Sequence, residues 1–321
     1  MTVASFSRIA RVLPVLAVVV GGALLAVSAA DDKPGKPHQA VKLFEVPAYC
    51  EGVVFDHEGY GYISWKDTIT RFSLDGKHEV WAVTGAPNGH KILADGTHLV
   101  CDASRHDVLR LDAKGKPMQD ACNQYDGKPL RGPNDLTLDT VNGGFYFTDP
   151  GGSGKDNPIG TVYYVDGAEK THLVAGGLAF PNGIVLVPGG KRLLVAESQK
   201  NRVLEYPITA PGKAGEMKVF AELPTKEGEQ IDNQPDGMCL DAAGNLYVAH
   251  YGMKQVQVLD PKGKLIARLP GGNMTTSNVA FGGPKMDQLF ITGGLGAEAG
   301  GGGLFRIDLG TAGLVILPPK K

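Results

Sequence analysis

Six side chains that end in a carboxylate or amide oxygen stand at the head of six similar segments: Glu51, Asn88, Asn134, Asn182, Asp236 and Asn278. Such oxygens are the donors that hard divalent cations take, and calcium gathers about six to eight of them at roughly 2.3–2.6 Å. Turn formation gives a plainer reason for Asn or Asp before Gly, and it accounts for Asn88, Asn182 and Asp236. It does not account for Glu51, since Glu is no turn former, or for six oxygen donors without one Ser or Gly among them. Brought together at a narrow opening, these groups repel or stay unsatisfied unless a cation joins them. The pattern therefore points to a divalent-metal site, with Asn88 and Asn278 expected farther from the ion, on water or substrate.

The elements that must position these residues are short strands. Each segment runs from its polar head through an apolar alternation, a Gly-bearing turn and a second alternation, as in "EGVVFDHEGYGYISW" from Glu51 and "DGMCLDAAGNLYVAHYG" from Asp236. The six heads are separated by 37 to 54 residues. "GTVYYVDG" and "GGLFRIDLG" supply third strands, and "THLVAGGL" and "MKVFAEL" read as fourth strands. Small antiparallel meanders of this kind cannot bury both faces alone and must pack on copies of themselves. The sequence thus predicts an all-β chain, a six-bladed β-propeller over residues 40–319, with all six heads at one mouth of the central channel. A two-sheet sandwich would leave six matching units unexplained. Either "VKLFEVP" before the first unit or "GLVILPP" at the C-terminal end is expected to complete a blade and close the ring.

Outside the repeat, Arg8 and Arg11 precede an uncharged apolar run that ends in small residues. This is the layout of a secretory signal peptide over residues 1–30, followed by a polar spacer over 31–39. The alternative is an uncleaved anchor, since the run nearly spans a bilayer. The signal-peptide reading implies a secreted or periplasmic protein without stable membrane association after cleavage. Residues 1–29 carry two Arg and no acid, which leaves 30 basic against 34 acidic side chains and no basic block. Nucleic acid is thereby disfavoured as a partner, and the protein is expected to be a monomer acting on a small molecule. Cys50, Cys101, Cys122 and Cys239 lie far apart, so a zinc ribbon or redox CxxC has no support. One or two disulfides and buried free thiols both remain open. "GGSGK" from Gly151 lacks the first Gly and the final Ser or Thr of a phosphate loop, and no GxSxG nucleophile elbow occurs.

The motifs "CEGVVFD", "RGPNDLTLD", "GGFYFTDP", "FPNGIVLVPGGKRLLVAES" and "QPDGMCLDAAGNLYVAHYG", in this order and spacing, resemble the family of senescence marker protein 30, gluconolactonase and regucalcin. That family comprises calcium-dependent six-bladed propellers. The resemblance runs from about Glu51 to Gly283. It implies that Glu51, Asn134, Asn182 and Asp236 hold a catalytic divalent metal, most readily Ca²⁺. It also implies lactone hydrolysis, with relatives that open organophosphates. Senescence marker relatives read Arg, one residue, Asn, Asp, Gly, whereas here Arg131 lies three before Asn134 and Leu136 follows Asp135. A substrate role for Arg131 is therefore not carried over, and the "PND" form is closer to the bacterial gluconolactonases.

Lactone opening needs carbonyl polarisation, delivery of water and protonation of the leaving alkoxide. Asp236 is the expected catalytic residue that orients or deprotonates the water. His90, His250, Asn88 and Asn278 are expected substrate contacts, against the plainer reading of each His as a surface or core residue. Asp149 is a candidate supporting or second-metal ligand. The competing functions are a metal-dependent phosphotriesterase and a non-catalytic propeller whose metal is structural.

Overall fold

The second strand of the third repeat, Phe145–Asp149, is buried at every position, which is the signature of a strand covered on both faces. Phe145 and Phe147 pack against Leu99, Val108 and Leu136 on one side. Tyr146, between them, packs against Ile184, Leu193 and Leu204 on the other. Alternate side chains of one strand thus serve two different cores, as a sheet wedged between two neighbours requires.

The structure, a computed structural model, describes residues 38–225, 233–296 and 300–320. The expected signal peptide and most of the spacer lie outside the described residues. Among the described residues, one 3-10 turn, Ser198–Lys200, is the only helical element. No helix there is long and apolar enough to cross a membrane.

Strands in chain order form six meanders. Blade 1 is Cys50–Phe55, Gly61–Trp65, Thr68–Phe72 and His78–Val83; blade 2 is Pro87–Ile92, His98–Asp102 and Asp107–Leu111. Blade 3 is Leu136–Leu138, Phe145–Asp149, Gly160–Val165 and Thr171–Leu178. Blade 4 begins Pro181–Leu186, Arg192–Glu197, Arg202–Ala210, and Lys218–Glu222 pairs with its third strand. Blade 5 is Gln234–Leu240, Leu246–Tyr251, Gln255–Leu259 and Leu265–Pro270. Blade 6 is Thr275–Gly282, Gln288–Gly294 and Gly302–Asp308, with Val41–Val46 as its outer strand. The chain is a six-bladed β-propeller.

Ring closure falls to the N-terminal candidate: Val41–Val46 runs antiparallel to Gly302–Asp308, with Val46 opposite Gly302. The C-terminal candidate is not a strand. It crosses the end of the channel opposite the repeat heads, where Leu314 N donates to Leu240 O at 2.9 Å and His57 Nε2 meets Pro318 O at 2.7 Å. Blade 2 lacks a fourth strand. Single bridges, Val108 to Cys122 and Leu111 to Pro117, cover the edge of its third strand instead. All four cysteines are free thiols.

Six apolar clusters fill the six gaps between blades. Between blades 6 and 1, Phe44, Phe55, Phe72 and Phe290 pack together, with the Phe55 and Phe290 ring centroids 4.6 Å apart. Between blades 4 and 5 the cluster is aliphatic, with Leu194, Val203, Leu246 and Val248. No blade owns a core, so stability is a property of the closed ring.

Near the axis the packing is backbone against backbone. In blades 1 and 4 the glycine after the repeat head faces the carbonyl of the next head. A Cβ on Gly52 would lie 2.0 Å from Asn88 O, and one on Gly183 would lie 2.2 Å from Asp236 O. Side chains bind some of the same carbonyls: Ser64 Oγ donates to Asn88 O at 2.9 Å and Thr148 Oγ1 to Asn182 O at 2.8 Å. These glycines set how closely the heads converge. Gly183→Ala is expected to lower stability by about 1–3 kcal/mol in chemical denaturation. Gly154→Ala, where a Cβ meets nothing within 4 Å, is the control and should change stability by less than about 0.5 kcal/mol.

Candidate functional site

Five of the six repeat heads, Glu51, Asn88, Asn134, Asn182 and Asp236, line one cavity of about 440 Å³ at the channel mouth. The approach to three of these heads is held by an acid at the end of the second strand of the same blade. Asp102 accepts from Gly85 N and Ala86 N, both at 2.7 Å, ahead of Asn88. Asp149 accepts from Arg131 N at 3.0 Å and Gly132 N at 2.7 Å, ahead of Asn134. Glu197 accepts from Ala179 N at 2.9 Å ahead of Asn182, and Arg202 Nε donates to its other oxygen at 2.7 Å. Asp149 is therefore a loop anchor behind Asn134. Of the two roles expected for Asp149 this is the supporting one, and its side chain does not line the cavity.

The electrostatics at the mouth are unfavourable for a protein alone. Burial pushes the Glu51 carboxyl up to about 8, and the Asp135 carboxylate adds to the shift. Burial, then Glu51, then Asp135 raise Asp236 well above the carboxylate range, against hydrogen bonds from Asn182 and Gly237. Two enclosed acceptors, Glu51 Oε2 and Asn134 Oδ1, have no hydrogen-bond partner. Unpaired acceptors and like charges at one opening are what a hard cation relieves. Among the described residues there is no group of three or more His, Cys, Asp or Glu so placed that those side chains alone could hold a metal ion. The donors at the mouth are instead two carboxylates and amides, an all-oxygen set that suits calcium, magnesium or manganese rather than a thiolate-bound metal.

Three expected substrate contacts lie off this cavity. In blade 6, Val279 pairs with Ile291 and Asn278 with Thr292, whereas in blade 5 Met238 pairs with Val248. Aligning the two registers puts Ser277, not Asn278, at the head position. Asn278 corresponds to Gly237, and its amide fills the space beside that glycine. His90 is fully buried among Tyr62, Trp81 and His98, with Nε2 2.8 Å from His98 Nδ1. The bulge between Pro87 and His90 breaks the alternation and turns the imidazole into the gap between blades 1 and 2. His250 is also fully buried, with Nε2 2.8 Å from Asn201 Oδ1, and burial lowers its pKa to about 4. Its neighbour Tyr251 lines the cavity, so alternation puts His250 on the opposite face.

Sequence reasoning missed the cavity wall. Tyr49, Phe180, Gln234 and Thr275 line it, each two residues before a head position: Glu51, Asn182, Asp236 and Ser277. For Gln234 and Thr275 a period of two was the available signal, since residues i and i−2 of a strand share a face; Tyr49 and Phe180 precede their strands, and Phe180 has a positive φ of 59°. Tyr251, paired with Gln234 across the strands, completes an aromatic and amide wall around the oxygen ring.

Comparison with known proteins adds the family. The family model described as SMP-30/gluconolactonase/LRE-like region matches residues 49–294. The chain belongs to this family. It is similar to a gluconolactonase of Zymomonas mobilis, 26% identical over 217 residues, which are 64% of this chain and 60% of that protein. It is also similar to lactonase drp35 of Staphylococcus saprophyticus, 35% identical over 221 residues and 64% of each chain. The diisopropyl-fluorophosphatase of Loligo vulgaris is 28% identical over 275 residues, 76% of this chain and 85% of that protein. The chain thus spans less than two thirds of the two lactonases and more of the phosphatase. The calcium-binding regucalcin from Agrobacterium tumefaciens shares the fold, with a TM-score of 0.74 over 88% of this chain and 97% of that one at 21% identity. Named lactonases among these relatives support a lactone-hydrolysing enzyme at the level of the family.

The raised Glu51 carboxyl yields a signed prediction. As pH rises from about 4.5 to about 8, the unfolded chain releases this proton while the folded chain retains it, so the residue's contribution to stability falls across that window. In chelator, Glu51→Gln should melt several degrees above the wild type at pH 8 and close to it near pH 4.5. Added calcium should raise the melting temperature of the wild type at pH 8 and leave Glu51→Gln unmoved.

Proposed function

We propose that the cavity hydrolyses a small lactone, a sugar lactone being the reference case, with a divalent cation held by Glu51, Asn134, Asn182 and Asp236. The observation that carries this reading is the convergence of these four oxygen donors on one cavity, with Glu51 Oε2 and Asn134 Oδ1 enclosed and unpartnered. When bound, the ion supplies Lewis-acid polarisation of the ester carbonyl and stabilises negative charge developing on its oxygen.

The remaining roles belong to the chain. Asp236 orients water at the mouth in this reading, accepts its proton on a carboxylate oxygen as the water adds to the carbonyl, and returns that proton to the alkoxide released when the ring C–O bond breaks. The amide of Asn88 offers hydrogen bonds to ring substituents, and Tyr49, Phe180 and Tyr251 offer apolar faces to the ring itself. Calcium is the proposed metal because the donors are all oxygen. The apolar run at residues 1–30 supports export, so a secreted or periplasmic location is part of the proposal. It is tested by whether the purified exported protein begins at residue 30 or 31.

A second reading is favoured by one observation: similarity to the diisopropyl-fluorophosphatase covers 85% of that relative, more than either lactonase named above. A phosphotriester demands the same electrophilic centre and a different pocket for its leaving group. Assays of aldonolactones beside aryl phosphotriesters, with and without chelator, separate the two. Lactone turnover is expected, with loss on chelation and at least a hundredfold loss in Asp236→Asn, within the range for an acid–base group. Turnover of phosphotriesters alone would favour the second reading. Metal-dependent stability with neither substrate turned over would make the protein a binding module with a structural ion.

A further inference from the structure

Beneath the oxygen ring the channel carries a second tier of charge. The residue after each head position is Gly52, Gly89, Asp135, Gly183, Gly237 or Asn278, so only blades 3 and 6 put a side chain there. Asp135 occupies the space that Gly89 leaves: a Cβ on that glycine would lie 2.4 Å from Asp135 Oδ1. Its carboxylate accepts from Leu136 N at 2.8 Å and faces Lys91 Nζ at 3.9 Å, with side-chain exposures of 3% and 13%. Lys91 Nζ also donates to the His90 carbonyl at 3.2 Å.

The setting makes this ion pair felt at the ring. Asp135 repels both Glu51 and Asp236. On its other side Lys91 borders an apolar chamber walled by Val53, Ile92, Ile184 and Met238 and closed by Leu314 and Leu317 of the C-terminal segment. Low-dielectric walls screen a charge far less than water does. Three carboxylates and one ammonium therefore share a poorly screened channel.

We propose that Lys91 is the built-in counter-cation of the metal ring, holding Asp135 beneath the oxygen donors and setting how tightly the ring takes a divalent ion. This rests on the ring being a cation site, as inferred above. Two effects of opposite sign follow. The ammonium stabilises the metal-free protein by balancing the carboxylates, and it repels the incoming dication. A lysine that only packs has the first effect without the second.

Lys91→Met keeps the aliphatic stem and deletes the charge. Calorimetric titration with calcium alone should show about tenfold tighter binding, and thermal unfolding in chelator should show a melting point several degrees lower. Asp135→Asn should bind calcium about tenfold more weakly. The pair Lys91→Met with Asp135→Asn leaves no orphaned carboxylate, so it supplies the comparison if the single lysine variant does not fold. Calcium should bind this double variant more tightly than Asp135→Asn alone. Unchanged or weaker calcium binding on loss of the ammonium, in either background, overturns the role of Lys91. A wild-type protein that takes up no calcium overturns the ring reading as well.

Discussion

Neighbouring innermost strands approach so closely that a glycine of one blade touches the backbone carbonyl of the next. Gly52 against Asn88 O and Gly183 against Asp236 O are the tightest of these contacts. The distance around the axis, and with it the span of the oxygen ring, follows from that approach. The rest of the fold maintains it: six apolar clusters fill the gaps between blades from the innermost strands outward, and the strand Val41–Val46 locks the last blade. Acids at the second-strand ends then pin the loops that deliver Asn88, Asn134 and Asn182.

The same convergence imposes an electrostatic cost. Glu51 and Asp236 share one mouth with Asp135 below, and the ammonium of Lys91 beside Asp135 offsets only part of this charge. A fold selected for stability alone would put apolar or amide side chains at these positions. The proposed cation site accounts for their presence, as intrinsic stability given up for ion binding in the way functional sites commonly do.

The propeller was legible because its signal is repeated six times: head, alternation, turn, alternation. Five head residues were legible for the same reason. The sixth was misread by one position because Asn278 mimics the head chemistry, while the true equivalent, Ser277, is neither carboxylate nor amide. Only strand register separates them, and register depends on bulges that sequence does not announce. The bulge at His90 misled in the same way. The wall residues Gln234 and Thr275 lay within reach of the alternation rule, whereas Tyr49 and Phe180 precede their strands. Their types differ from blade to blade, however, so no repeated residue type marks them. The role of residues 313–319 as a cover for the far end of the channel was not legible, since an apolar run reads equally well as a strand.

Diffraction from crystals grown with calcium, or with a lanthanide in its place, bears most directly on the central claim that rotationally equivalent residues make one ion site. The account predicts an anomalous peak at the channel mouth with Glu51, Asn134, Asn182 and Asp236 all at coordination distance. An empty mouth in such crystals, or an ion bound elsewhere with those four side chains paired to one another, would contradict it.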